Sequence, residues 1–91
     1  MTHAVVLVRA ERSALPDLGG ALASLDGVAE AYSVTGRWDF VAILRVSEPD
    51  DLARVVTERL ARLPGIARTY TMVAFEAFSR HDLEAMFSIG D

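Results

Sequence analysis

Few residues in this sequence carry chemistry at a spacing that could use it. There is no cysteine, which excludes thiol catalysis, disulfides and cysteine-ligated zinc. The two histidines, His3 and His81, lie far apart, and neither sits at a metal-ligand spacing from another such residue. Asp82 and Glu84 beside His81 read as the solvated start of a helix, and Asp50-Asp51 reads the same way. No phosphate loop, dinucleotide fingerprint or nucleophile elbow is present. What remains is one turn, Gly36-Arg37-Trp38-Asp39, where a glycine, a cation, an aromatic ring and a carboxylate follow one another.

The elements that must position this turn are legible from periodicity. His3–Arg9 is short, β-branched and apolar, the pattern of a strand. Leu15, Leu18, Leu22 and Leu25 form one stripe at helical spacing, with Pro16 suited to a first turn and Asp26-Gly27 to a stop. Strands are expected over Val28–Thr35 and Trp38–Val46, joined by a two-residue hairpin at Gly36-Arg37. Ser47–Asp51 supplies cap candidates for a second helix whose apolar face is Leu52, Val55, Val56, Leu60 and Leu63. Pro64-Gly65 ends it, and Ile66–Phe78 reads as a long fourth strand. Ser79–Asp82 resembles a capping box leading into Leu83, Met86 and Phe87.

The order β-α-β-β-α-β with right-handed crossovers leaves one compact answer. It is an α+β, ferredoxin-like sandwich: a four-stranded antiparallel sheet, two helices on one face, strands one and three central. A short C-terminal helix would follow, giving a domain over 1–78 and an extension over 79–91.

Composition narrows the partners. With 91 residues the chain makes one small domain, and 52% of it is apolar. The net charge of −4 argues against a protein held on nucleic acid by phosphate contacts. Its longest apolar runs, Ala4–Val8 and Phe40–Leu44, are far too short to cross a bilayer. The N-terminus has no secretory pattern, so a cytoplasmic location is expected.

The central strands do not alternate apolar and polar residues. Val5 and Leu7 oppose Ala4, Val6 and Val8 on strand one. On strand three, Trp38, Phe40, Ala42 and Leu44 oppose Val41 and Ile43. Both faces are apolar, and at about 25 cal/mol per Å2 a wet second face would forgo roughly 15 kcal/mol over some 600 Å2. A second copy packed sheet to sheet, forming a dimeric barrel-like assembly, is the economical cover; the alternative cover is the C-terminal helix folding back over its own sheet.

Three blocks carry a family resemblance: Leu25-Asp-Gly-Val28, then Val34-Thr-Gly-Arg-Trp-Asp-Phe-Val41, then Leu63-Pro-Gly-Ile66 leading into Arg68-Thr-Tyr-Thr71. In register they resemble the effector-binding (RAM) domain of the Lrp/AsnC, or feast/famine, transcriptional regulators. The chain is similar to the stand-alone form of that domain, without a helix-turn-helix reader. The resemblance implies dimers that assemble into octamers or decamers, with small effectors, typically amino acids, bound at subunit interfaces. It implies no cofactor and no catalysis, and it makes a full-length Lrp/AsnC regulator a candidate partner.

By the same resemblance the ligand lies near the hairpin, at Gly36, Arg37, Trp38 and Asp39, with Thr69 and Thr71 on the last strand. The chemistry agrees with that placement. An amino-acid zwitterion needs an acceptor for its ammonium, which Asp39 offers. Its carboxylate needs donors, which backbone N–H groups around Gly36 and the Arg37 side chain offer. Two other readings of the fold stay open here. One is a cofactor-free dimeric enzyme, such as a small monooxygenase, using His81, Trp38 and Tyr70. The other is an ACT-like regulatory module, although Ala10–Ala14, the loop where such a module places its glycine, has none.

Overall fold

The computed structural model describes residues 1–78 and 80. Strand β1 spans Thr2–Ala10 and a 3-10 turn, Arg12–Ala14, leads into α1, Leu15–Ala23. Strands β2 (Val28–Ser33) and β3 (Phe40–Val46) follow. Helix α2 begins as Pro49–Arg54, widens into a π-helical stretch over Val55–Arg59 and tightens into a 3-10 turn, Leu60–Arg62. Strand β4, Ile66–Val73, completes a four-stranded antiparallel sheet in the order β2-β3-β1-β4. This is the expected ferredoxin-like arrangement with strands one and three central. The proposed helix over 79–91 lies outside the described residues.

Register explains the core. Ala4, Val6 and Val8 of β1 pair with Leu44, Ala42 and Phe40 of β3, and all six are buried on the helix face. Leu18 and Leu22 of α1 and Leu52, Val55 and Leu60 of α2 close over them. Of the expected leucine stripe, Leu18 and Leu22 are buried, whereas Leu15 is exposed and Leu25 packs against the core from beyond the end of the helix. Gly19 has a packing reason, since a Cβ there would stand 3.1 Å from the Phe40 ring. The cap expected within Ser47–Asp51 is not made by a side chain. Glu48 holds the N-cap position without a side-chain bond, and Pro49 with Asp50 and Asp51 forms the first turn instead.

The outer face belongs to the alternate residues. Val5 lies between Ile43 and Met72, and Leu7 lies between Val41 and Tyr70. Tyr32 faces Val41 from β2. The ends of this face are charged: Arg9 opposes Arg68 at one, while His3 opposes Arg45 at the other. Arg45 is paired with Glu30 at 3.3 Å. The outer face thus has an apolar centre and polar margins.

The strands depart from expectation at the hairpin and at the end of β4. β2 stops at Ser33 and β3 starts at Phe40, so a six-residue loop, 34–39, replaces the tight hairpin. β4 ends at Val73 rather than Phe78. The first difference has a long-range cause, and it creates the site.

Candidate functional site

The 34–39 loop is tied down at both feet. Val34 N–H donates to the Asp39 carbonyl at 3.0 Å, and Asp39 N–H donates to the Val8 carbonyl at 2.9 Å. The Asp39 carboxylate then reaches past the loop, where its Oδ2 accepts the Ala10 N–H at 2.8 Å. Arg9 holds the other limb: its Nε and Nη2 donate to the Arg37 carbonyl at 3.1 and 2.8 Å. Its guanidinium also lies 5.5 Å from the Trp38 ring centre. Trp38 in turn stacks on Tyr70, with centroids 6.4 Å apart and planes 24° from parallel. These contacts span more than twenty residues of sequence, and they open the hairpin by drawing its second limb across the end of β1.

The crest of the loop is left unspent. Gly36 has φ +102° with open space around it, so the backbone conformation itself demands glycine there. Among the described residues, the N–H groups of Thr35, Gly36, Arg37 and Trp38 find no acceptor. Asp39 Oδ1 and the Arg37 guanidinium likewise have no partner there. Backbone donors and a carboxylate oxygen in one loop are the groups that the two ends of a zwitterion require.

Of the six expected site residues, the structure brings four together. Gly36, Arg37, Trp38 and Asp39 share the loop. Trp38 does not continue the buried row of Phe40, Ala42 and Leu44 as expected. It precedes the strand and turns onto the outer face, against Tyr70. Thr69 and Thr71 pair with Val8 and Val6, whose side chains are on the helix face. The sheet therefore separates both threonines from the Trp38 shelf within one protomer. Of the residues of the enzyme reading, Trp38 and Tyr70 stack on each other, and His81 lies outside the described residues. No group of three potential metal ligands occurs among the described residues.

Sequence reasoning missed a cavity of about 320 Å3 on the helix side of the same sheet end, lined by residues including Glu11, Asp17, Leu18 and Gly65. Gly65 has φ +89°, and its carbonyl accepts the Glu11 N–H at 2.8 Å. A side chain at Gly65 would overlap Ala14. Pro64-Gly65 signalled a turn but not what the turn encloses. Among the described residues, no helix is long and apolar enough to cross a membrane.

The element order and sheet topology define a ferredoxin-like βαββαβ domain. The family model of the Lrp/AsnC ligand binding domain matches residues 3–83, and the chain belongs to that family. TTHA0845 from Thermus thermophilus is 44% identical and superposes with a TM-score of 0.81, covering 88% of this chain and 100% of that one. An HTH-type transcriptional regulator of Pyrococcus furiosus is 32% identical over 81% of this chain and 51% of its own length. The leucine-responsive regulatory protein of Haemophilus influenzae is 28% identical over 79% of this chain and 43% of its own. The chain thus spans about half the length, or less, of the curated relatives it matches.

Proposed function

We propose that this chain is a cytoplasmic effector-binding and oligomerising module of the Lrp/AsnC type, not an enzyme, and that its loop 34–39 takes an amino acid. The carrying observation is that donors and an acceptor share one loop: among the described residues, four consecutive N–H groups and the second carboxylate oxygen of Asp39 have no partner. The donors receive the carboxylate, Asp39 receives the ammonium, and Trp38 walls the side chain. Thr69 and Thr71 contribute only if another copy brings its β4 to the loop. A leucine-responsive regulator among the relatives supports an amino acid as the ligand class.

The outer face supports assembly. An apolar centre of Val5, Leu7, Val41, Ile43 and Met72 with charged margins has the anatomy of a protein interface. A second copy packed on it, sheet to sheet, gives the dimer; octamers or decamers build from that, and a full-length regulator of the family could enter through the same face.

The test is a thermal-shift screen of dialysed protein against the twenty amino acids and common 2-oxo acids. A ligand at about 100 times its dissociation constant should add roughly 2.7 kcal/mol, a shift of several degrees in a domain this small. A selective shift that Asp39→Asn abolishes is expected, with the oligomer unchanged. If no compound shifts the midpoint, the effector reading fails.

A further inference from the structure

β4 is an edge strand, paired with β1 on one side and open on the other, and its two ends differ. Beside its start lies a groove of about 270 Å3 between the end of the second helix and the strand; its floor and helix side are apolar, from Val56 and Leu60 to Ala67, and Arg68 and Thr69 complete its lining on the strand. Beyond its end the chain runs on as an arm, 74–78. Ala74 still donates its N–H to the His3 carbonyl at 2.9 Å. After it, Phe75 is 103% exposed and Phe78 is 76% exposed. Two aromatic side chains in water, continuing an open strand edge, form a surface that single folded copies ordinarily suppress.

The arm cannot fill the groove of its own chain. Phe75 lies nine positions beyond Ile66, about 30 Å of strand at roughly 3.3 Å per residue. The five residues of the arm reach about 17 Å when fully extended. Another copy can supply the match. Two β4 edges laid antiparallel place the end of each strand beside the start of the other, so each arm meets its partner's groove about one two-fold axis.

We infer that a second copy of this chain docks along the open edge of β4, with the arm of each copy seated in the Val56–Ala67 groove of the other. This surface is separate from the outer face and from the loop, so the inference stands apart from the effector reading. Edge contact and face contact together would carry a dimer into a larger assembly.

The chain's lack of cysteine makes the test direct. Phe75→Cys and Ala61→Cys are prepared separately, refolded alone or as an equal mixture, and oxidised at micromolar concentration. A covalent pair on a non-reducing gel is expected from the mixture, at least about fivefold above either variant alone. No pair from the mixture, with both variants folded by circular dichroism, overturns the inference. So does equal pairing by Phe75→Cys alone, which would place the arms against each other. Should a cysteine variant fail to fold, Phe75→Ser and Ala67→Glu decide by native mass spectrometry. Both positions are exposed, and loss of the same assembly step in both is expected; an unchanged mass in both overturns the inference.

Discussion

The Asp39 carboxylate and the Ala10 backbone N–H are joined by a hydrogen bond of 2.8 Å across the end of the sheet. One oxygen is thereby committed to the fold, and the other has no partner among the described residues. Asp39 thus holds the loop and offers a charge at the same time.

The two roles separate by substitution. Asp39→Asn keeps an oxygen that can accept from Ala10 but removes the charge, so the domain should stay within about 1 kcal/mol of the parent while amino-acid binding is lost. Asp39→Ala strands a half-buried donor and should cost about 1–3 kcal/mol. Urea denaturation of both variants, beside ligand titration, checks this.

Arg9 makes its contacts to the loop through the Arg37 carbonyl and the Trp38 ring. Arg9→Met should free that limb, with a modest stability loss of about 1 kcal/mol. Trp38 is the chain's sole tryptophan, so its emission reports the loop without interference. A red shift and a lower anisotropy are expected; an unchanged spectrum would show that Arg9 is not the clamp.

Gly36→Ala places a side chain where there is room for it but where the backbone disfavours it. A loss of about 1–2 kcal/mol is expected from conformation alone. An unaltered unfolding midpoint would mean that the loop readily adopts another path.

How much of this was legible beforehand depended on how local the cause was. The alternation of Val5 and Leu7 against Ala4, Val6 and Val8 is written into consecutive residues, and both the sheet and its two apolar faces followed from it. The stripe Leu15, Leu18, Leu22 and Leu25 did the same for α1 in its middle, at Leu18 and Leu22, but not at Leu15, which is exposed. The loop was misread because Gly36-Arg37 between two apolar runs has the local signature of a tight hairpin. Its actual path is set by Arg9 and Asp39, which bond partners 28 and 29 positions away. Trp38 was assigned to the wrong face for the same reason, since strand alternation no longer holds once the strand begins at Phe40. Thr69 and Thr71 came from a motif that records sequence neighbours and not sheet faces.

The far margin of the sheet carries a pH dependence. Tyr32 donates its hydroxyl to the Glu30 carboxylate. That bond, and then the negative charge of Glu30, raise the phenol above its ordinary value. Folded protein therefore holds this proton more tightly than unfolded chain does. The stabilisation is complete below the unfolded tyrosine pKa of about 10 and is lost as pH rises through the higher folded value. Phenolate absorbance should show a late-titrating tyrosine that moves to lower pH in Glu30→Gln.

The loop that rises free at Gly36 is fixed at Val34, Arg37 and Asp39 by bonds made within the protomer. A ligand arriving at its crest meets a loop already tethered, and little chain freedom remains to be surrendered. Association there should accordingly proceed with a small heat-capacity change and a modest entropic penalty, as for a rigid receptor, in contrast to loops that order around their ligand.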